Sequence, residues 1–355
     1  MDKPTVLNKL NEQWEKKLPF VLFSMPNTTK CSLYFQDNTS LHTTENFLEP
    51  GFVFSPFHNA KESLIIPSTV ESTLEFDFAI SDIEHTQTPI ISCAEEKKEH
   101  VQLVNTILKK IKNQTVEKVV ASRKKDIPLT KLVITELAMR LLQLYPKAFR
   151  YIWYHPDTGL WCGASPEILI KREGNMFSTM ALAGTKKNIN GQVVKWSYKE
   201  MHEQQLVTEA LVTNLQKIVS VLKTSKPVTV EAGSLSHLKT EIQGVIKSGK
   251  TALPKIIFAI HPTPAVCGTP TKEAKNIILE FEKYDREFYT GFLGPISPIE
   301  GTATIFVNLR CAKIENETAS IYVGGGIVYG SIAEDEWTET ENKLATMLKV
   351  LSPFM

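Results

Sequence analysis

One acidic stretch near the end of the chain decides how the fold is interpreted. It reads Glu334-Asp335-Glu336-Trp337-Thr338-Glu339-Thr340-Glu341-Asn342-Lys343. Apolar residues recur at helical spacing over residues 344–351, so the pattern predicts a helix that begins with these acidic residues. Glu336 and Glu339 are three residues apart and therefore lie on the same side of that helix.

A second acidic pair has the same spacing. Glu200 and Glu203 precede an amphipathic segment that the pattern extends to Leu222, so we predict a second long helix. The two pairs then face each other across a cavity, and four carboxylates together need a cation. Mg²⁺ suits such a site, because it prefers oxygen ligands and is usually held by one or two carboxylates and an anionic substrate. The alternative is that both pairs are solvated helix faces.

The composition is that of a globular protein without a charge bias. The chain has 355 residues, a net charge of +1 and 42% hydrophobic residues. This charge excludes an electrostatic case for nucleic acid or a membrane surface as a partner. No apolar run is long enough for a membrane span, and the first residues lack a signal peptide's apolar core, which predicts a cytoplasmic protein. Five cysteines without a Cys-x-x-Cys pair argue against disulfides and a zinc site.

The distribution of motifs divides the chain at about residue 98. Residues 1–98 predict a helix and several strands but contain no motif with an evident chemical role, so we interpret them as a structural part. Residues 99–355 contain all the motifs that suggest chemistry. The length allows one large α/β unit or two ordinary domains.

Two residues are candidates for proton transfer. Lys118 lies in a predicted strand over residues 117–123 and shares a face with Val120; if that face is buried, burial lowers the pKa of the amine and makes it a base. The alternative is a lysine at a sheet edge or one that snorkels. Glu167 follows small residues and precedes apolar ones, where burial raises a carboxyl pKa and makes it an acid. The alternative is a strand-end glutamate that faces water.

Two glycine segments also suggest ligand contacts. Gly184 and Thr185 follow a predicted strand, and a turn there offers amides and a hydroxyl to an anion. Residues 324–326 are three glycines after another predicted strand. They do not match a dinucleotide fingerprint, because the required spacing and the βαβ context are missing. We therefore expect them to let the backbone approach a ligand closely.

Taken together, the motifs resemble a known family. The segments are residues 116–123 (VEKVVASR), 163–167 (GASPE), 182–185 (LAGT), 261–268 (HPTPAVCG), 307–312 (VNLRCA) and 336–343 (EWTETENK). They are similar to the chorismate-utilising enzymes, and within that group to isochorismate synthases. The resemblance covers residues 99–353 in the family's order and is loose before them.

The resemblance implies a fold and a metal site. The fold is an α/β (α+β) sandwich of large, mostly antiparallel sheets flanked by helices, in which residues 1–98 complete the sandwich and residues 99–355 bind chorismate. Mg²⁺ is held chiefly by Glu203 and Glu339, while Glu200 and Glu336 reach its waters.

The resemblance also implies roles around the substrate. Lys118 activates water for attack on C2 of the ring, and Glu167 protonates the hydroxyl that leaves C4. Arg310 and Tyr289 hold the enolpyruvyl carboxylate. The remaining predicted substrate contacts come from backbone or from the ring pocket: Gly184, Thr185, His237, Ala265, Gly324 and Gly326.

A few positions separate this chain from related enzymes. By resemblance, anthranilate synthases have glutamine in place of Lys118, and aminodeoxychorismate synthases have a nucleophilic lysine in place of Ala183. Salicylate synthases usually have threonine where this chain has Ala265. The expected activity is therefore isochorismate formation by a monomer without a glutamine amidotransferase subunit. Salicylate synthase and a non-catalytic chorismate-binding homologue are the alternatives, and the product's destination, menaquinone or a siderophore, stays open.

Overall fold

The fold was analysed in a computed structural model that describes residues 1–58, 62–80, 93–187, 194–232, 235–246 and 252–355. Its helices are α1 (Lys3–Glu15), α2 (Ala94–Lys112), α3 (Ile134–Leu144), α4 (Tyr198–Gln216), α5 (Ala252–Ile260), α6 (Thr271–Phe281) and α7 (Ala333–Leu351). In the described part of the chain, no helix is both long enough and apolar enough to cross a membrane.

The strands form two large sheets in which neighbouring strands run antiparallel. The first sheet contains, in chain order, β1 (Phe20–Ser24), β2 (Lys30–Phe35), β6 (Thr73–Asp77), β7 (Lys118–Pro128), β8 (Phe149–His155), β9 (Gly159–Ser165), β15 (Gly268–Thr269), β18 (Cys311–Glu315) and β19 (Thr318–Val328). The second contains β3 (Thr43–Thr44), β4 (Gly51–Ser55), β5 (Ser63–Pro67), β10 (Ile168–Glu173), β11 (Met176–Lys187), β12 (Val219–Thr224), β13 (Val228–Ala232), β14 (Leu235–Ile246), β16 (Phe292–Ser297) and β17 (Thr302–Val307). The predicted sandwich of antiparallel sheets is confirmed.

Aromatic residues fill the space between the two sheets. Phe149 of the first sheet stacks on Phe306 of the second at a centroid distance of 4.2 Å, and Phe54 lies 4.9 Å from Trp153. Stacked and tilted ring pairs bury large apolar areas and fix how the sheets face each other. The strands of residues 1–98 take part in both sheets, so this segment completes the sandwich instead of forming a separate core.

Helices cover the outer faces of the sheets. α1, α3 and α7 pack on the first sheet through buried residues such as Leu10, Leu137 and Leu348. α4 and α5 pack on the second sheet through residues such as Leu211 and Ile257. The helices that carry the two acidic pairs, α4 and α7, therefore approach from opposite layers.

Three predicted boundaries were wrong. The helix after Glu203 ends at Gln216 instead of extending to Leu222, because residues 219–224 pair with β14 as a strand. Apolar residues spaced in this way satisfy a strand as well as a helix, and distant pairing decides between them. The glycines 324–326 lie inside β19, not after it, and Gly184 lies at a bulge inside β11, not in a terminal turn.

β7 and β19 form the ladder on which the candidate site is built. They pair without a register shift along the whole of both 11-residue strands, from Thr318 opposite Pro128 to Val328 opposite Lys118. Gly326 lies opposite Val120 and Gly324 opposite Ser122. This register places Lys118 and the glycines at the same end of the sandwich.

Candidate active site

A cavity of about 660 Å³, including its open mouth, lies between β7 and β19 of one sheet and β11 and β14 of the other. Eleven of the fourteen predicted site residues line it: Glu167, Gly184, Thr185, Glu203, His237, Ala265, Tyr289, Arg310, Gly324, Gly326 and Glu339. The other three, Lys118, Glu200 and Glu336, lie directly behind the wall in contact with these residues or with their helices.

Lys118 is buried at the first position of β7. Its side chain is 1% exposed, and its Nζ lies 3.0 Å from Oε1 of Glu203. A methyl group on Gly326 would overlap the same carboxylate and lie 3.0 Å from Cε of Lys118, so the glycine leaves room for the pair. Both faces of β7 are buried at this end, so Lys118 and Val120 share a buried face and so do Val119 and Ala121.

Glu167 lies in the short connection between β9 and β10 and is buried. Burial raises the pKa of its carboxyl to about 8, although Lys118 and Lys343 oppose the shift. Its Oε1 has no hydrogen-bond partner among the described residues. A carboxyl that is protonated at neutral pH and unpartnered in a cavity can donate a proton to a bound substrate.

Two neighbouring glycines of β19 leave room for the acids of both helices. A side chain at Gly325 would meet Oε2 of Glu336 at 3.2 Å and Oε1 of Glu339 at 3.6 Å, whereas one at Gly326 would meet Glu203. Since successive residues of a strand face opposite sides of the sheet, Gly325 makes room for the acids of α7 on one face and Gly326 for the acid of α4 on the other. This close packing of carboxylates is a second reason for a glycine run there.

Every carboxylate of the two pairs also contacts a lysine. Apart from the pair of Lys118 and Glu203, Nζ of Lys343 donates to Glu339 at 2.7 Å and Nζ of Lys199 donates to Glu336 at 2.6 Å. The fourth pair is weaker, since Nζ of Lys186 lies 3.4 Å from Glu200. The lysines balance the charge that four neighbouring carboxylates would otherwise concentrate.

The pKa values of the two acids of α7, Glu336 and Glu339, are shifted in opposite directions. Burial and the nearby charge of Glu339 raise the pKa of Glu336 to about 7 against the pull of Lys199. Burial also acts to raise the pKa of Glu339, but Lys343 and Lys199 hold it below its ordinary value. Glu339 is therefore the anionic member of this pair at neutral pH.

Glu200 has a structural task in its own helix. Its Oε2 accepts hydrogen bonds from the backbone N–H of Ser197 at 2.8 Å and from the Ser197 hydroxyl at 2.5 Å. This is a capping box at the start of α4. Burial acts to raise the pKa of the Glu200 carboxyl. The hydrogen bonds from Ser197, together with the charges of Lys186 and Lys199, nevertheless hold this pKa below its ordinary value.

The donor set suits a hard divalent cation. The four carboxylates offer only oxygen, and Oε2 of the buried Glu336 has no hydrogen-bond partner among the described residues. In the side-chain positions of the described residues, no three acidic, histidine or cysteine groups already form a metal cage. The lysine partners explain this, because each draws one carboxylate toward itself.

The opposite wall offers neutral and cationic groups. Nδ1 of His237 lies 3.0 Å from the carbonyl oxygen of Gly184, and burial lowers the pKa of its ring to about 3, so the imidazole is neutral. Nη1 of the half-buried Arg310 donates to the Thr346 hydroxyl at 3.1 Å. A side chain at Gly324 would approach the Tyr289 hydroxyl to 3.0 Å. Arginine and tyrosine on one wall are suited to an organic carboxylate.

Three residues that contact the candidate site were not predicted from the sequence. Lys199 and Lys343 had no predicted role, and neither did Arg286, which donates from Nη1 to the Val266 carbonyl at 2.9 Å and from Nη2 to the Val120 carbonyl at 2.8 Å. Lys199 had one available signal, since a lysine in the first turn of a helix opposes the helix dipole. Arg286 had one signal, the four-residue spacing to Glu282, whose Oε1 accepts from its Nη2 at 2.6 Å, whereas its backbone partners are distant in sequence.

Known proteins resemble this chain over most of its length. The family model described as "chorismate binding enzyme" matches residues 53–352. An isochorismate synthase of Bacillus subtilis is 30% identical over 315 residues, which is 83% of this chain and 79% of that protein. An isochorismate synthase of Escherichia coli K12 is 35% identical over 245 residues, 66% of this chain and 62% of that protein. A solved structure from Bacillus anthracis, described as a 2,3-dihydroxybenzoate-specific isochorismate synthase, has a TM-score of 0.80 at 28% identity and covers 98% of this chain and 99% of that one.

Proposed function

Because the chain belongs to the chorismate binding enzymes, we propose that it is an isochorismate synthase, an isomerase that converts chorismate to isochorismate. Water adds at C2 of the ring and a hydroxyl leaves C4, so one water molecule is taken up and one is released. The observation that carries the proposal is a buried proton donor, Glu167, in the same cavity as a carboxylate that holds a buried amine, Lys118.

Two residues divide the proton transfers. Lys118 removes a proton from the attacking water, and Glu167 gives a proton to the hydroxyl that leaves. The pKa of Glu167 at about 8 supports the second role, because the carboxyl is protonated at neutral pH.

The remaining residues bind and orient the substrate. Arg310 and Tyr289 hold the enolpyruvyl carboxylate, while Gly324 and Gly326 allow backbone to approach it. His237, Thr185, Gly184 and Ala265 line the ring pocket. Because His237 is neutral, it contributes hydrogen bonding without adding charge.

We also propose a Mg²⁺ site for this reaction. Glu203 and Glu339 would bind the ion directly, and Glu200 and Glu336 would hold its waters. When bound, Mg²⁺ would polarise the ring carboxylate of chorismate. Since water is the nucleophile, no ammonia-supplying subunit is needed, and we propose that the chain acts as a cytoplasmic monomer.

One assay tests the proposal. The protein is incubated with chorismate and Mg²⁺, and the products are separated and identified by mass spectrometry. Isochorismate as the product supports the proposal. Salicylate together with pyruvate would instead identify a salicylate synthase, and unchanged chorismate that still binds would identify a non-catalytic homologue.

A further inference from the structure

Lys199 stands out among the lysines that contact the carboxylates. It lies in the first turn of α4, between the N-cap Ser197 and Glu200, the acid of the capping box, where a positive charge opposes the helix dipole. Its Nζ nevertheless donates to Oε1 of Glu336, on the other acidic helix, at 2.6 Å. The contact therefore joins α4 to α7 across the carboxylate cluster and does not serve its own helix.

The other three lysines are anchored more firmly. Lys118 is 1% exposed, Lys343 also donates to the carbonyl oxygen of Gly324 at 2.7 Å, and Lys186 also donates to the carbonyl oxygen of Lys195 at 2.7 Å. Lys199 has a hydrogen bond only to Glu336 within the described part of the chain. Its side chain is 25% exposed, whereas that of Glu336 is 1% exposed. Lys199 thus reaches a buried carboxylate from a partly exposed position, and only the hydrogen bond to Glu336 holds its amine among the described residues.

We propose that Lys199 is a displaceable counter-ion that occupies the carboxylate cluster when Mg²⁺ is absent and leaves Glu336 when Mg²⁺ binds. This inference rests on the proposed Mg²⁺ site. Because binding the ion then requires that a hydrogen-bonded ion pair be broken, Lys199 lowers the affinity of the substrate-free protein for Mg²⁺. It also keeps Glu336 and Glu339 from repelling each other in the metal-free protein.

The first test measures Mg²⁺ affinity by isothermal titration calorimetry without chorismate. Lys199→Met should bind Mg²⁺ roughly tenfold more tightly than the wild type, because a hydrogen bond between charged groups no longer competes. Lys217→Met is the matched control, since this exposed lysine at the C-cap of α4 carries the same charge far from the cluster. Equal or weaker affinity in Lys199→Met than in Lys217→Met would overturn the proposal.

Thermal denaturation gives a second readout on the same variants. Without Mg²⁺, Lys199→Met should unfold at a lower temperature than the wild type, because its carboxylates are uncompensated, and saturating Mg²⁺ should remove the difference. Lys217→Met should follow the wild type under both conditions. A lower temperature that Mg²⁺ does not restore would show a purely structural role and would contradict displacement.

The displacement itself can be measured by amine labelling. Brief acetylation of the wild-type protein followed by peptide mass spectrometry should show that Lys199 reacts severalfold faster with Mg²⁺ than without it, while the reactivity of Lys217 stays constant. Unchanged reactivity of Lys199 in a protein that binds Mg²⁺ and forms isochorismate would overturn only this inference. A protein that neither binds Mg²⁺ nor converts chorismate would overturn the proposed function as well.

Discussion

The two acidic pairs share a spacing but not an environment. In each pair the second acid, Glu203 or Glu339, lines the cavity and contacts a lysine. The first acids differ: Glu200 caps its own helix through Ser197, whereas Glu336 is 1% exposed and its pKa is raised to about 7. One first acid therefore stabilises local structure, and the other is held in an environment that disfavours its charge.

This difference shows what spacing can and cannot identify. Two acids three residues apart indicate a common helix face, and that holds for both helices. Spacing does not show whether an acid also stabilises the fold, because that depends on the residues around it. Glu200 stabilises the fold through its capping box, whereas Glu336 has a cationic partner only in Lys199 among the residues that the structure describes.

The largest expected effect concerns Lys118, the proposed base, which contacts Glu203, the second acid of α4. Lys118→Ala should lower turnover roughly 10²- to 10⁴-fold, which is what a positioned base usually contributes, while chorismate still binds. Steady-state kinetics and a binding titration measure the two effects. Lys124→Ala on the exposed part of the same strand is the control and should leave turnover unchanged. Equal turnover in both variants would contradict the proposed role.

The next largest effect is a difference in Mg²⁺ affinity between variants of Glu339, the second acid of α7, and variants of Glu336, the first. Chelation should abolish activity and added Mg²⁺ should restore it. We expect Glu339→Gln to lose most of its Mg²⁺ affinity, and Glu336→Gln to lose roughly 10- to 100-fold, as is typical when an outer partner of a metal site is removed. Calorimetric titration of the variants measures this ranking. Full activity of Glu339→Gln without added metal would refute the site.

The pH dependence of Glu167 should be a smaller effect. Because the carboxyl must be protonated to act, kcat should fall as the pH rises through about 8. The raised pKa also means that the folded protein binds more protons than the unfolded chain between about pH 4.5 and 8, so this group's contribution to stability falls as the pH rises through that range.

Glu167→Gln separates these two consequences. The variant should lose turnover yet unfold at a higher temperature than the wild type at pH 8, because an amide needs no proton in the cavity. Melting curves from pH 5 to 9 measure the difference, which should grow with pH. If the variant were less stable than the wild type at every pH, this would contradict the assignment of Glu167 as a buried carboxyl whose ionised form destabilises the fold.

The smallest expected effect compares the first acids in stability without Mg²⁺. Glu200→Ala should lower the free energy of unfolding by about 1 kcal/mol, because it removes the side chain that completes a capping box. Glu336→Gln should lower the free energy of unfolding by less than this at pH 8, because it removes a buried charge and Lys199 can turn to solvent. Chemical denaturation of both variants tests the order, and a larger loss in Glu336→Gln would reverse the comparison.

Much of this site followed from local pattern and resemblance. The spacing of Glu336 and Glu339 predicted a shared helix face, and the resemblance gave the partners Lys118 and Glu167 their proposed roles. The neighbours of Glu167 suggested burial but left a water-facing position open, because the outcome depends on the second sheet closing over it. The end of α4 was misplaced for the same kind of reason, since β14 decides that residues 219–224 are a strand.

The lysines show where the sequence was least informative. Lys343 lies four residues after Glu339, and that spacing is typical of an exposed helix pair. Lys199 adjoins a glutamate in a charged helix start, which also suggests solvent. Only the approach of α4 to α7 makes these ordinary positions part of the site.

The ladder between β7 and β19 limits which length changes the protein can accept. Its register carries no shift, so one residue inserted into or deleted from β7 after Lys118 would turn that side chain to the opposite face or move it away from Gly326. An insertion in the exposed turn between β8 and β9 meets no such restriction, because nothing in the cavity depends on that turn. Point substitutions on β7 can therefore be tolerated where a single-codon insertion cannot.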